Sequence, residues 1–90
     1  MKYIIYLTTR QDRETGEISQ NAFRDKQKAI KLAQEWIQEH LKDYGLKMPE
    51  NNDGDIFIDM KEWYMRDWRH EKCIDVIPIT LGDVPVEFSK

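Results

Sequence analysis

The strongest constraint on the fold is a stripe of apolar side chains within residues 26–44. Asp25 precedes this segment with a short carboxylate that can accept free backbone N–H groups, and Gly45 follows it as a helix stop. A helix with one apolar face needs a surface to cover, and a β-sheet is the natural one. The stripe residues recur at helical spacings of three and four: Ala29, Ile30, Ala33, Trp36, Ile37, His40, Leu41 and Tyr44.

Segments rich in β-branched and aromatic residues predict the sheet. Residues 3–9 predict a first strand and residues 73–81 predict a clear later one. Pro78 lacks a backbone N–H, so it favours a strand edge or a bulge. Residues 17–23 are equally compatible with a second strand, which would complete an N-terminal hairpin, and with an irregular loop.

The segment that follows position 55 has an ambiguous pattern. Its alternating apolar residues favour a strand, whereas Asp59 and Glu62 have a spacing like that of a helix capping box, which would open a short helix over 59–70. We expect a strand over residues 56–66, because a hairpin turn near residues 69–71 would then pair it with the last strand.

These elements predict an α+β fold, in which an antiparallel sheet of three to four strands is covered on one face by one main amphipathic helix. Ninety residues make one domain, spanning 1–90. A loop is expected over 47–55, and a C-terminal tail, 84–90, is expected to dock through Val86 and Phe88. The other face of such a sheet is left to solvent or to a partner.

The lack of a recognisable targeting signal and the single cysteine predict a cytoplasmic protein with no membrane segment. Cys73 is the only cysteine, so no intramolecular disulfide can form, which fits a reducing compartment. The apolar run over residues 3–7 is too short for a signal peptide or a membrane span.

Residues 23–29 read Phe-Arg-Asp-Lys-Gln-Lys-Ala, and Ala33 follows one turn later. With the preceding strand, this pattern resembles small proteins of bacteriophages and of mobile elements of Gram-positive bacteria, in which a strand or hairpin leads to a helix that opens with Phe-x-Asp/Ser-x-x-Lys-Ala. The resemblance covers about residues 1–44. It implies a phage or mobile-element setting and a binding role, since some small phage proteins inhibit host defence systems, such as CRISPR-Cas, by binding them. It implies no catalytic residue.

The sequence contains no convincing catalytic or metal signature. His70 and Cys73, with His40 elsewhere, fall short of the four ligands of structural zinc. Three-residue spacing in a strand places His70 and Cys73 on opposite faces, which argues against a Cys–His nucleophile pair. The four glycines stand singly, so a phosphate-binding glycine loop is excluded. We therefore expect no enzymatic activity, no metal and no cofactor.

Residues 63–70 contain the residue types that are most enriched at protein interfaces. If this segment is a strand, Trp63 and Trp68 lie on opposite faces, so one of them points away from the helix. The alternative is that both pack beneath the helix. The sequence thus predicts a non-catalytic protein-binding module that acts by occluding a macromolecular partner. Its candidate partner-binding residues are Trp63, Tyr64, Arg66, Trp68 and Arg69.

The sequence also allows three other binding modes: nucleic-acid binding, homodimer formation and anion binding. Arg66, Arg69 and Lys72 with the neighbouring aromatics could bind nucleic acid, but the net charge of −3 argues against nucleic acid as the leading partner. An open strand at Pro78 or at the N-terminal strand could pair with a second copy and form a homodimer. The start of the helix is a candidate anion-binding surface or simply a solvated lysine face, through Lys26, Lys28 and Lys31.

Overall fold

A computed structural model describes residues 3–47 and 55–81, which form one antiparallel five-stranded sheet and one helix, α1. The sheet order is β2-β1-β5-β4-β3. The α+β class with a helix on an antiparallel sheet is confirmed, and the sheet has one or two strands more than predicted. The elements in chain order are β1 (Tyr3–Asp12), β2 (Ile18–Phe23), α1 (Lys26–Asp43), β3 (Ile56–Asp59), β4 (Tyr64–Asp67) and β5 (Lys72–Leu81).

The N-terminal hairpin is formed, so residues 18–23 are a strand rather than an irregular loop. The Asp12 carboxylate accepts the backbone N–H groups of Glu14 and Thr15 at 3.0 and 3.2 Å, which closes the turn. Gly16 has φ 81°, a left-handed conformation that glycine adopts at little cost. This turn sets the register of β1 against β2.

Helix α1 begins and ends as its sequence predicts. The carboxylate of Asp25 accepts the N–H of Gln27 at 2.8 Å, and Gly45, with φ 63°, follows the C-cap residue Tyr44. The buried face of α1 consists of Ala29, Ala33, Trp36, Ile37, His40 and Leu41.

The expected strand over 56–66 is wrong, and so is the alternative helix over 59–70. The segment is a tight hairpin instead, with β3 and β4 of four residues each. The Asp59 carboxylate accepts the N–H groups of Lys61 and Glu62 at 2.8 and 2.9 Å. The cap-like spacing of Asp59 therefore builds a turn, because β4 pairs back onto β3 before a helix can continue.

The second hairpin turn lies at residues 68–71, as predicted, and it joins β4 to β5. β5 is the central strand of the sheet rather than an edge strand. Its pairing with β4 is limited to residues 72–74, however, whereas β1 pairs along its whole length. Pro78 thus lies where the described residues pair with β5 from one side only, which is compatible with its missing N–H.

One face of the sheet carries the core beneath α1. Thr8 is fully buried there and donates a hydrogen bond to the Ala29 carbonyl of α1 at 2.8 Å. The largest buried side chains of the other strands on this face are Ile58, Met65 and Ile74.

Residues adjacent to these buried ones point to the opposite side of the sheet, because side chains alternate along a strand. In the part of the chain that the structure describes, no element packs against that side, which we call the open face. The residues on this side include Ile5, Leu7, Thr9, Ala22, Phe57, Tyr64, Arg66, Cys73, Asp75, Ile77 and Ile79.

Two expectations fall outside the described residues. These are most of the loop over 47–55 and the docking of the tail, 84–90, through Val86 and Phe88. Within the described ranges, no helix is long and apolar enough to cross a membrane.

Candidate functional site

The first half of the open face is aliphatic. Ile5 lies opposite Ile79 and Leu7 lies opposite Ile77 in the antiparallel pairing of β1 with β5. Directly opposed side chains on one face of a sheet contact each other, so these four form one continuous strip. Ile77 is 43 % exposed, which is high for a residue near the centre of a sheet.

The second half of the open face is aromatic and charged. The rings of Phe57 and Tyr64 stack with centroids 5.5 Å apart, and the Arg66 guanidinium lies 5.3 Å from the centre of the Tyr64 ring. Arg66 also donates to the Asp75 carboxylate at 2.9 Å. The open face thus combines aliphatic, aromatic and arginine side chains, the set that protein interfaces favour.

The five predicted partner-binding residues separate into different environments. Tyr64 and Arg66 lie together on the open face. Trp63 is partly buried and packs against the core, because its backbone, with φ 56°, turns immediately before β4. Trp68 is 59 % exposed in the β4–β5 turn, and Arg69, also in that turn, donates to Asp55 at 2.9 Å.

Trp68 is nevertheless close to the open face. It lines a cavity of about 490 Å³ together with Arg66 and Cys73 of that face. Arg13, Glu71, Asp67 and Lys72 also line it, and the N–H of Arg13 donates to the Glu71 carbonyl at 2.8 Å. The exposed indole therefore extends the aromatic half of the open face beyond the end of β4.

The cations proposed for nucleic-acid binding all have carboxylate partners. Arg66 pairs with Asp75, Arg69 pairs with Asp55, and Lys72 lies 3.1 Å from Asp12. The hydrogen bond to Asp12 raises the pKa of Lys72 against the opposing effect of burial, and the nearby Tyr44 adds to the rise. Phosphate binding would have to compete with these intramolecular pairs.

The lysines at the start of α1 do not form one patch. Lys26, Lys28 and Lys31 are all exposed. Positions two apart on a helix do not face each other, so Lys26 points away from Lys28. Lys26 lines a separate cavity with Lys61 and Glu62. Anion binding at this end of the helix stays a prediction.

A polar cluster lies on the helix side of the sheet, where α1 meets the β4–β5 turn. The Oδ2 atom of Asp67 is 2.7 Å from His40 Nε2 and 2.7 Å from His70 Nδ1. Its Oδ1 atom accepts the backbone N–H groups of Arg69 and His70 at 3.0 and 3.1 Å. Asp67 is 2 % exposed and His40 is 6 % exposed, so solvent has little access to the hydrogen bond between them.

Burial opposes ionisation of Asp67, but its hydrogen bonds outweigh burial. The rings of His40 and His70 and the His70 N–H stabilise the carboxylate, and the pKa of Asp67 is therefore below its usual value. The ring of Tyr44 packs against both imidazoles, with centroid distances of 4.8 Å to His40 and 3.9 Å to His70.

The sequence pattern does not reveal this cluster. Sequence spacing groups His70 with Cys73 and leaves His40 apart, whereas in the structure Cys73 lies on the open face and His70 contacts His40 of α1. Asp67 lies three residues before His70, a spacing at which the two side chains can contact each other in a turn. His40 is 27 residues from Asp67 in sequence, and only the packing of α1 on the sheet brings them together.

Comparisons with protein-family models, with curated proteins and with solved structures find no match to this chain. The resemblance of residues 1–44 to small phage proteins therefore receives no further support from them.

Proposed function

We propose that this chain is a non-catalytic protein-binding module whose binding surface is the open face of its sheet together with Trp68. The observation that carries the proposal is that the only helix among the described residues covers one side of a five-stranded sheet. The uncovered side holds the strip formed by Ile5, Leu7, Ile77 and Ile79. Ile77 is exposed and the other three are half-buried, and a contiguous apolar strip that reaches the surface of a small domain is typical of an interaction site.

The chemistry of the face favours a protein partner over a nucleic acid. Its centre is aliphatic, whereas nucleic-acid sites are predominantly cationic with exposed stacking aromatics. The arginines that could meet phosphates, Arg66 and Arg69, are already paired with Asp75 and Asp55. The partner surface that fits is therefore apolar at its centre, with polar groups at the rim facing the Arg66–Asp75 pair.

The resemblance of residues 1–44 to small phage and mobile-element proteins adds a setting. In that setting the module acts by occluding a surface of a macromolecular partner, for example a component of a host defence system such as CRISPR-Cas. Occlusion requires only a stable surface, and a ninety-residue domain can provide this without a substrate pocket.

Site-specific photo-crosslinking tests this surface directly. A benzophenone amino acid replaces Ile77 on the open face or, as the matched control, Gln38 on the exposed side of α1. Each protein is irradiated in an extract of cells that carry the gene. We expect a crosslinked protein from position 77 only, and the purified crosslinked protein should bind the wild-type chain but not an Ile77→Asp variant. Equal crosslinking from both positions would place the interface elsewhere.

The aromatic half of the surface has its own test. The double variant Arg66→Ala/Trp68→Ala should lose binding to the partner identified above while keeping a melting temperature close to that of the wild type. Trp68 is exposed and Arg66 is only half-buried, so neither belongs to the core. A large fall in melting temperature would show instead that this segment stabilises the fold.

A further inference from the structure

Two imidazoles and one carboxylate converge on a single point between α1 and the β4–β5 turn. The three atoms are His40 Nε2, Asp67 Oδ2 and His70 Nδ1, and all lie within 4.8 Å of one another. They come from the helix, from the last residue of β4 and from the turn that follows it. Both rings aim at the same carboxylate oxygen, which brings two imidazole nitrogens and one carboxylate oxygen together in one small region.

Backbone N–H groups hold the Asp67 carboxylate in place independently of the two imidazole rings. Asp67 Oδ1 is occupied by the backbone N–H groups of Arg69 and His70, which leaves Oδ2 directed at the two rings. Tyr44 packs against both imidazoles and limits their rotation. Outer contacts that fix the orientation of ligand side chains in this way are a regular feature of metal sites.

We propose that His40 Nε2, Asp67 Oδ2 and His70 Nδ1 bind one divalent transition-metal ion, with Zn²⁺ as the best fit. Two neutral imidazole nitrogens and one carboxylate oxygen form a donor set that zinc accepts, with a water molecule completing the tetrahedron. Hard cations such as Ca²⁺ and Mg²⁺ prefer oxygen ligands alone, so the two histidines select against them.

A modest rearrangement of the two rings is needed to admit the ion. Zinc lies about 2.0–2.2 Å from such ligands, which in a tetrahedron separates the ligand atoms by about 3.3 Å. The N···O distances are 2.7 Å and the three atoms lie within 4.8 Å of one another, so each ring has to move away from Oδ2 by less than about 1 Å while the two nitrogens approach each other. The ion takes the place of the proton in each of these two hydrogen bonds. A neutral imidazole then carries its proton on the other ring nitrogen, and only an imidazolium releases a proton to solvent.

The site is also accessible. The His70 side chain is 24 % exposed, and a cavity of about 350 Å³ opens beside His40. Two cations line that cavity, and each has a carboxylate partner: Arg10 lies 3.9 Å from Glu39, and Lys72 lies 3.1 Å from Asp12. Bound metal would connect α1 to the β4–β5 turn and stabilise the fold, a role that goes beyond partner binding by the open face.

Titration of the chelator-treated, untagged protein with Zn²⁺ alone tests the site. Calorimetry should show one Zn²⁺ per chain with a dissociation constant in the micromolar range or below, and the melting temperature should rise with the metal concentration. His70→Gln should weaken binding at least about tenfold. Cys73→Ser is the matched control and should bind Zn²⁺ like the wild type, since Cys73 lies on the open face.

A second measurement guards against a variant that fails to fold. In the wild-type protein, ¹⁵N NMR should show Zn²⁺-dependent shifts at His40 Nε2 and His70 Nδ1. Failure to bind Zn²⁺ at millimolar concentration, equal binding by wild type and folded His70→Gln, or unchanged imidazole nitrogens would each overturn the proposal. The cluster would then be a hydrogen-bonded network only, and the proposed function of the open face would be unaffected.

Discussion

Thr8 shows how a single polar side chain fixes the helix to the sheet. It is the only β1 residue that is fully buried among those described, and its hydroxyl donates to the Ala29 carbonyl at 2.8 Å. Ala29 and Ala33 are both 0 % exposed, so small side chains allow the close approach that this hydrogen bond needs. A threonine within a strand gives no sequence signal of such a role.

Replacing Thr8 by Val should therefore lower the free energy of unfolding by about 1 kcal/mol, the net contribution of a typical buried hydrogen bond. The shape of the side chain is retained, so packing changes little. Urea denaturation gives the value. Thr9→Val, on the open face, is the matched control and should change stability by less than about 0.5 kcal/mol. Equal effects at both positions would show that the hydrogen bond is not the cause.

The Asp12–Lys72 pair predicts a specific pH dependence. The hydrogen bond from Lys72 lowers the pKa of Asp12 below 3.8, and the N–H groups of Thr15 and Glu14 act in the same direction against burial. A carboxyl group with a lowered folded-state pKa stabilises the fold above its unfolded value and loses this contribution as the pH falls through the folded value.

Stability of the wild type should therefore fall as the pH drops through and below 3.8, and Asp12→Asn should remove part of that fall. Urea denaturation over a series of acidic pH values measures both proteins. At the alkaline end, the raised pKa of Lys72 gives a contribution that is complete below 10.5 and is lost as the pH rises beyond it. Parallel acid profiles for the two proteins would exclude the pair as a source of stability.

Among the elements, α1 was the most predictable because its signals are local. The apolar stripe, the cap at Asp25 and the glycine at position 45 are all read within one segment, and each has the predicted role in the structure. The β3–β4 hairpin was not predictable in the same way. Asp59 can cap a helix or close a turn with the same two hydrogen bonds, and the pairing of β4 with β3 and β5 decides between them.

The N-cap of α1 should contribute measurably to stability. Asp25→Ala should lower the free energy of unfolding by about 1 kcal/mol, because the N–H of Gln27 loses its acceptor. Asp43→Ala removes the same charge from the other end of α1, where an acidic residue opposes the helix dipole, so it should be neutral or slightly stabilising. Thermal unfolding followed by circular dichroism compares the two, and an equal loss would attribute the effect to net charge instead.

The second half of β5, residues 75–81, is the part of the sheet that could pair with a second copy of the chain. Within the described ranges, residues 75–81 pair with β1 but not with β4, which leaves one backbone edge open. Such an edge can accept a strand from a second copy, although Pro78 removes one donor from it. A homodimer formed here stays a prediction, and light scattering after size-exclusion chromatography checks it: the prediction requires twice the 10.9 kDa mass of the chain.

At the scale of the whole molecule, the central property is the difference between the two sides of the sheet. One amphipathic helix and the interface-type residues at 63–70 predict this asymmetry. The sequence pattern does not assign those residues to sides, because Trp63 turns into the core before β4 begins and Tyr64 emerges on the other face. The histidine–aspartate cluster is likewise a product of the tertiary fold, since His40 is 27 residues from Asp67 in the chain.

Thiol labelling tests this asymmetry most directly. In a Cys73→Ser background, Ile77→Cys places a thiol on the open face and Ile74→Cys places one beneath α1, three residues away; Ile77 is 43 % exposed and Ile74 is 1 % exposed. With a maleimide in dilute native protein, the thiol at position 77 should react nearly as fast as in the unfolded chain. The thiol at position 74 should react only as fast as the protein opens. Equal and slow labelling at both positions would show that the second side of the sheet is also covered, and it would contradict the account.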